Sequence, residues 1–368
     1  MDVDRSCFDW PVFGLADADK RGRLERGLGE LTRLHARNCE PYGRIVQALG
    51  VDPMRDYGLE AVPLLPVRLF KQYELKSVPD TAVFKVLTSS GTSSQQLSRV
   101  VLDRDTAQAQ TRALVLILQD FLGKARLPML ILDHPGVIKD RRSYSARGAG
   151  ILGLSSFGRD HVYALRDDMT ADLEAVAAFA ERHRGQRVLL FGFTFMVWKY
   201  FVGALRRTPL RTPLSDAILI HSGGWKKLQD EAVDAATFGR ALEEFAGVSR
   251  VHNFYGMVEQ VGSIFVECEH GRLHTPAFAD VLIRDARSGL TLPPGQTGLI
   301  QALSLLPASY PGHSLLTEDL GEWTGVDDCP CGRLGRTFKV HGRAARTELR
   351  GCSDTHAAAV EQVAGASA

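Results

Sequence analysis

Residues 84–101 read FKVLTSSGTSSQQLSRVV, from Phe84 to Val101. An apolar run stops at Leu87, another resumes at Val100, and between them lies a loop made largely of hydroxyls around one glycine. The flanking runs, 84–87 and 99–102, predict two paired strands. The loop, Thr88-Ser89-Ser90-Gly91-Thr92-Ser93-Ser94, has what a phosphate asks of a protein. Small side chains let backbone N–H groups approach its oxygens, and the hydroxyls add donors. It lacks the lysine of a G-x-x-x-x-G-K-[ST] loop, which excludes that class. The same composition also suits an ordinary surface turn. The loop alone leaves both readings open, and segments further along the chain bear on the choice.

Asp103 is placed to cap a helix over 105–122. Residues 128–133, PMLILD, form a continuous apolar run of buried-strand type. A helix is expected over 170–184, a buried strand over 187–193, and a helix from 194 to about 206. A strand over 217–221 runs into Ser222-Gly223-Gly224, a helix follows over 227–246, and a strand over 251–254 runs into Tyr255-Gly256-Met257. Strands alternating with helices predict a layered α/β fold around a mostly parallel sheet. Before the loop, residues 18–49 read as two helices meeting at Pro41 and Tyr42, then a linker carrying Pro53, Pro63 and Pro66. From about 264 the pattern changes to short strands and turns, which predicts a smaller β-rich unit. The division expected is an α/β core over 1–263, a β-rich subdomain over 264–341 and a short segment over 342–368. The Ala-rich stretch after His356 reads as short helix or disorder.

The chain has 368 residues, 45% hydrophobic and 24% charged, as in ordinary globular proteins with a core large enough to enclose a small-molecule site. Lys and Arg number 44 against 43 Asp and Glu, so charge gives no argument for nucleic acid or an anionic membrane. No apolar run approaches the length of a membrane span, and the first residues have no apolar core of a signal peptide. The compartment expected is the cytoplasm. There the six cysteines, Cys7, Cys39, Cys268, Cys329, Cys331 and Cys352, would be thiols, metal ligands or a nucleophile rather than disulfides.

Taken in order, these segments resemble the adenylate-forming superfamily, which makes acyl-AMP from a carboxylic acid and ATP. The carriers are Thr88–Ser94 with Ser98 (phosphate loop), His221-Ser222-Gly223-Gly224-Trp225 (adenine-pocket turn), Tyr255-Gly256-Met257-Val258-Glu259 (Y-G-M/T-T-E signature), Thr317-Glu318-Asp319-Leu320-Gly321 (T-G-D segment) and Gly342-Arg343 (hinge). Within that superfamily the chain resembles the acyl-protein synthetase (LuxE-like, long-chain-fatty-acid–protein ligase) family through TSSGTSS, RLPMLILD, HSGGWKK, HNFYGMVEQ, CEHG and RGCS, from about residue 10 onward. The resemblance implies the superfamily's large domain with a small β-rich unit and without a full C-terminal domain, since only residues 344–368 follow Arg343.

It also implies roles. Ser89, Ser90, Gly91, Thr92, Ser93 and Ser94 would hold the triphosphate, and Glu259 would be the carboxylate partner of Mg2+. Tyr255, with Gly256 and Met257, would stack on the adenine, with Gly223, Gly224 and Trp225 on its other face. Asp319 would hold the ribose hydroxyls, and Arg343 the same sugar or the phosphate. Cys352, flanked by Arg346 and Arg350, would take the acyl group as a thioester. Two departures stand out. The lysine that closes the family's phosphate loop is missing, with Arg99 nearby, and Val258 replaces a threonine. Three residues also have plainer readings: Asp319 as a turn acid, Trp225 as a core aromatic and Cys352 as a bystander. Residues 191–198, FGFTFMVW, suit an acyl pocket or a core.

Cys268, His270, His274, Cys329 and Cys331 pair C-x-H with C-x-C. Phenylacetate–CoA ligase-like enzymes, a related branch, imply a structural Zn2+ on Cys268, His274, Cys329 and Cys331, with His270 competing; two reduced cysteine turns are the alternative. The activity expected is ATP-dependent activation of a carboxylic acid, fatty by resemblance. The acyl group then moves to Cys352 and on to an acyl reductase or carrier protein. Delivery to coenzyme A, or a non-catalytic nucleotide-binding protein, are the competing outcomes.

Overall fold

The computed structural model describes residues 3–89, 97–138, 146–208, 210, 212–225 and 231–344. Its strands are β1 (Leu65–Pro66), β2 (Lys85–Thr88), β3 (Arg99–Leu102), β4 (Leu127–Ile131), β5 (Gly158–Tyr163), β6 (Val188–Phe193), β7 (Ala217–Ser222), β8 (Arg250–Tyr255), β9 (Phe265–Glu267), β10 (Leu273–His274), β11 (Ala279–Arg284), β12 (Gly298–Ser304), β13 (Ser314–Val326) and β14 (Arg336–Arg343). The chain divides into two compact units. One holds Met1–Leu118, Gly256–Phe265 and Arg272–Ala368; the other holds Gln119–Tyr255 and Val266–Gly271.

The second unit carries the parallel sheet the sequence predicts. Its strands lie in the order β5-β4-β6-β7-β8, all parallel. Strands β4, β6 and β7 are buried along nearly their whole length, as strands covered on both faces must be. Their apolar runs therefore show no alternation. Phe179, Phe201, Leu190, Leu219 and Leu242 pack together in the core of this unit; each such side chain contributes roughly 1.5–3 kcal/mol on burial. Asp172 caps the helix Leu173–Arg182 by accepting from Ala175 N (3.1 Å). Asp234 caps Ala235–Ala246 by accepting from Thr237 N (2.7 Å), and Gly247 closes that helix at φ 75°.

Three local features differ from expectation. The helix Ala146–Ser155 and strand β5 are additional elements. Strand β5 is an edge strand, largely exposed, so GRDHVY carries no core signature. The helix expected over 227–246 is helical from Ala235, because the Asp234 side chain starts it there; residues 226–230 lie outside the described residues. The run over 194–206 is helical but contains a π-helical stretch, Val197–Val202.

The first unit is built on antiparallel pairing. Strands β2 and β3 form the expected hairpin, with Lys85 opposite Leu102 and Thr88 opposite Arg99. Asp103 accepts from Thr106 N (2.8 Å) and starts the helix Arg104–Leu122. Strands β11, β12, β13, β14 and β10 follow in that order, antiparallel, with β1 alongside β13. Between the helices Asp17–Asn38 and Glu40–Ala48 lies Cys39, which joins Tyr42, Ile45 and Val46 of the second helix in a core shared with Phe70, Val100, Tyr310 and Leu315. Lys20, on the first of these helices, is buried against Asp280 of β11 at 3.6 Å, and its ammonium also donates to Thr275 Oγ1 (2.7 Å) and Thr275 O (3.2 Å).

Candidate functional site

In the first unit, the one-turn helix Val258–Gln260 carries Glu259, whose side chain is buried (6% exposed). Burial pushes its carboxyl above the ordinary range. The Ser98 hydroxyl beside it, its own backbone N–H and the charges of Lys71 and Arg343 pull in the other direction without cancelling the shift. Ser98 comes from the hydroxyl-loop hairpin, whose base is closed by two serines: Ser89 N donates to Ser98 O (3.1 Å) and Ser98 N to Ser89 Oγ (3.0 Å). The sequence-predicted loop residues Ser90, Gly91, Thr92, Ser93 and Ser94 lie outside the described residues.

Strands β13 and β14 place Asp319 directly opposite Arg343, and the guanidinium Nε stands 3.8 Å from Asp319 Oδ1. Arg343 is largely exposed (76%), so its charge is available to a ligand as well as to Asp319. Thr317 fixes the backbone here: its hydroxyl donates to Ile300 O (2.8 Å) and accepts from Asp319 N (3.2 Å). The register of this pair shifts between Leu320 and Gly321, and Gly342 takes φ 113°, a conformation that costs glycine little and other residues more. Ser89, Ser98, Glu259, Asp319 and Arg343 are thus gathered by three pieces of chain in one unit. Lys71, on the four-residue helix Leu69–Gln72, is a cation that the sequence reading missed. Nothing in its local sequence marks it, because its relation to Glu259 exists only after folding.

In the second unit, the chain leaves the carboxyl ends of β6, β7 and β8 through a linked set of bonds. Thr194 Oγ1 meets His221 Nδ1 at 2.9 Å and donates to Ser222 O (3.2 Å), and Ser222 Oγ donates to Phe254 O (2.8 Å). Burial, with His252 adding to it, drives His221 down to about 3, so its imidazole is neutral near pH 7. Gly223 follows at φ 84°, and a Cβ there would stand 3.0 Å from Phe193 Cδ1. Gly224 faces open space. Trp225 is half-buried and edge-on to Trp198, with ring centres 6.0 Å apart. Tyr255 ends β8. In the first unit, Gly256 sits against Ile264, and Met257 packs on the core that contains Tyr310.

At the carboxyl end of β4 is a polar cluster that the sequence reading did not single out. Asp133 is buried, pairs with Arg147 Nε (Oδ2, 3.0 Å) and accepts from His134 N (2.8 Å). It stands where the strand order reverses between β4 and β6, the position at which doubly wound sheets open a crevice.

The metal-ligand set is assembled by local turns. Cys268 opens a turn closed by Gly271 N donating to Cys268 O (3.0 Å), and that turn runs into β10, which carries His274. Cys329 and Cys331 bracket a second turn, closed by Gly332 N donating to Cys329 O (3.0 Å). In the first unit the ligand atoms of His274, Cys329 and Cys331 lie within 4.8 Å of one another, and His274 Nε2 is 3.4 Å from Cys331 Sγ. In the second unit His270 directs its backbone N–H to Cys268 Sγ (3.4 Å). Thiols and an imidazole at this spacing are donors of the kind tetrahedral zinc takes. Cys352 lies outside the described residues.

Among the described residues, no helix is long and apolar enough to cross a membrane. The chain is similar to the long-chain-fatty-acid–luciferin-component ligase of Vibrio harveyi, 25% identical over 336 residues, which covers 87% of this chain and 83% of that protein. A shorter stretch of 137 residues is 24% identical to the ligase of the same name from Aliivibrio fischeri, covering 37% of this chain and 36% of that one. Among solved structures it is similar to an open conformation of 2-hydroxyisobutyryl-CoA ligase in complex with 2-HIB-AMP and CoA. The TM-score is 0.68 at 17% identity, over 90% of this chain and 78% of that one, a likeness of fold. The model of the family "Acyl-protein synthetase, LuxE" matches residues 2–360. An α/β fold with a parallel sheet and an antiparallel β-rich part, the superfamily's motifs in order and a family match over nearly the whole chain lead to one conclusion: the chain belongs to the LuxE acyl-protein synthetase family, and it is a ligase.

Proposed function

We propose that this protein uses ATP and Mg2+ to convert a carboxylic acid, a fatty acid by the chemistry of its relatives, into acyl-AMP, and then takes the acyl group onto Cys352. In the first step an oxygen of the substrate carboxylate bonds to the α-phosphorus. The bond from that phosphorus to the bridging oxygen breaks, and pyrophosphate leaves with the electron pair. In the second step the Cys352 thiolate bonds to the acyl carbon and AMP leaves. A nucleophile of an acyl reductase or carrier protein then bonds to the acyl carbon, the bond to sulfur breaks, and the Cys352 thiolate leaves.

The observation that carries the reading is Glu259. Its carboxyl is buried and raised even with Ser98, Lys71 and Arg343 acting on it. A divalent cation beside it would restore its charge, so the residue fits a Mg2+ partner. When bound, Mg2+ supplies charge neutralisation to phosphate oxygens. The chain's own groups do the rest. Ser89, Ser98 and the loop 90–94 donate to the triphosphate, and Asp319 accepts from the ribose hydroxyls. Arg343 and Lys71 supply positive charge where the family's loop lysine is missing. Tyr255 and Met257, with Gly223, Gly224 and Trp225, enclose the adenine. Cys268, His274, Cys329 and Cys331 would hold a structural Zn2+, which would tie the two turns together outside the reaction.

The test is acid-dependent exchange of labelled pyrophosphate into ATP across a panel of carboxylic acids. The reading expects exchange with a subset of apolar acids and its loss in Glu259→Gln. No exchange with any acid would favour a non-catalytic relative. Exchange without acylation of the protein would move the acceptor to an external thiol such as coenzyme A.

A further inference from the structure

The connection from β12 to β13, residues 305–313, is a loop in which every residue except Ala308 is buried. Loops normally run over the surface, because a buried one must find partners for its backbone groups. This one finds them in side chains and backbone from distant parts of the chain. Arg5 Nη1 donates to Leu305 O (3.2 Å) and Leu306 O (3.1 Å), and His35 Nε2 meets Pro307 O at 3.2 Å. Ser309 N donates to Thr106 Oγ1 (3.2 Å), Ser309 Oγ to Val101 O (2.9 Å), and Ser77 N to Ser309 O (2.7 Å). These bonds hold the segment from several sides, and it brings a polar group to the candidate site.

The group is the Tyr310 hydroxyl. It donates to the backbone carbonyl of Glu259 (2.9 Å) and accepts from Gln110 Nε2 (3.3 Å). Its ring is fully buried, edge-on to Phe70 at 6.0 Å. The next residue after Glu259 is tethered to the same loop: Gln260 Nε2 donates to Gly312 O (2.7 Å) and to Ala302 O (3.0 Å). Gly312 itself comes so close that an added Cβ would stand 2.8 Å from Glu259 O. The short helix Val258–Gln260 is therefore held at two successive residues, while the Glu259 carboxyl has Ser98 beside it and acts electrostatically on the Tyr310 hydroxyl itself.

We infer that Tyr310 is a positioning residue for the cation site: its hydroxyl, through the Glu259 carbonyl, holds the Glu259 carboxyl where Mg2+ and the ATP phosphates meet it. This rests on the reading of Glu259 given above. Tyr310→Phe keeps the ring and its packing and deletes only the hydroxyl. Without its donor, the Glu259 turn gains freedom that cation binding must remove. The loss of one buried hydrogen bond corresponds to roughly tenfold in a binding constant.

The experiment measures Mn2+ binding by electron paramagnetic resonance in the presence of a non-hydrolysable ATP analogue, together with the Mg2+ midpoint of pyrophosphate exchange. Wild type, Tyr310→Phe, Glu259→Gln and Thr324→Val are compared. Thr324→Val is the control, since it deletes another hydroxyl bond of this unit, from Thr324 Oγ1 to Thr337 Oγ1 (2.9 Å), which is none of the bonds that hold the 305–313 loop. The inference expects Tyr310→Phe to weaken Mn2+ binding and raise the Mg2+ midpoint about tenfold, with maximal exchange at saturating Mg2+ within about twofold of wild type. Glu259→Gln should lose the cation, and Thr324→Val should keep the wild-type midpoint. Should Tyr310→Phe fail to fold, Gln260→Met removes the neighbouring tether at similar volume and should move the midpoint the same way. A Tyr310→Phe midpoint within twofold of wild type, with cation binding lost in Glu259→Gln, would make Tyr310 a fold residue only. Wild-type cation binding in Glu259→Gln would remove the role of Glu259 and the inference with it.

Discussion

Replacing Lys20 by methionine should cost this protein a large part of its stability. The side chains of Lys20 and Asp280 are each only 1% exposed, and the ammonium lies 3.6 Å from Asp280 Oδ2. Burial pushes the lysine down and the carboxylate opposite pushes it back up, so the pair is a trade between desolvation and attraction. Methionine keeps the length of the stem and removes the charge. Asp280 then keeps its bond from Val281 N (2.8 Å) to Oδ1 but loses its counter-charge, and Thr275 loses the donor to its hydroxyl and carbonyl. Removing one partner of such a pair costs about 3–5 kcal/mol. For a chain of this size that lowers the thermal midpoint by roughly 10 °C. Urea unfolding of Lys20→Met, Asp280→Asn and the double variant gives the coupling directly. The double variant should recover at least half of the Lys20→Met loss, because no uncompensated charge remains. A Lys20→Met loss under about 1 kcal/mol, or losses in the two single variants that simply add, would refute the claim that the buried charges depend on each other.

The raised carboxyl of Glu259 predicts an acid limb in the pH profile of pyrophosphate exchange. The site needs the ionised form to take up the cation, so at Mg2+ below saturation activity falls as pH drops through the raised pKa, at a higher pH than an ordinary glutamate near 4.3 would give, and saturating Mg2+ moves the limb down. Glu259→Asp, which keeps a carboxyl but shortens its reach, should retain an acid limb and lose rate; a profile unchanged from wild type would separate Glu259 from the reaction. The cysteine–histidine cluster predicts about one zinc per chain by metal analysis. Cys331→Ser should release it and lower the thermal midpoint without changing acid preference. Protein purified metal-free with an unaltered midpoint would leave the two turns as reduced thiols.

The parallel sheet was legible because three of its strands, β4, β6 and β7, are buried along nearly their whole length and announce themselves as apolar runs at 128–133, 187–193 and 217–221, while the half-buried β8, expected over 251–254, was placed by the alternation of strands with helices. Strand β5 was not, since an edge strand of sequence GRDHVY has little to bury. The helix before it, ARGAGILGLS, contains three glycines, and so reads poorly as a helix. In the candidate site, Glu259, Asp319 and Arg343 each sit in a short motif that the sequence marks, and the structure brings them into one unit. Lys71 and Tyr310 were not readable. Their relation to Glu259 is made entirely by folding, through a four-residue helix and a buried loop far away in sequence. The sequence reading put His274 in the ligand set with His270 competing, and strand pairing separates the two. His274 is fixed on β10 opposite Thr337 of β14, whereas His270 is in the turn.

The claim that the acyl group comes to rest on this protein is tested most directly by intact-protein mass spectrometry after incubation with ATP, Mg2+ and fatty acids of graded length, with and without hydroxylamine. The account predicts a mass increase of one acyl group, removed by hydroxylamine and missing in Cys352→Ala, while Cys352→Ala still exchanges pyrophosphate. A wild-type protein that exchanges pyrophosphate but never gains the acyl mass, or a Cys352→Ala protein that gains it as readily, would contradict the account.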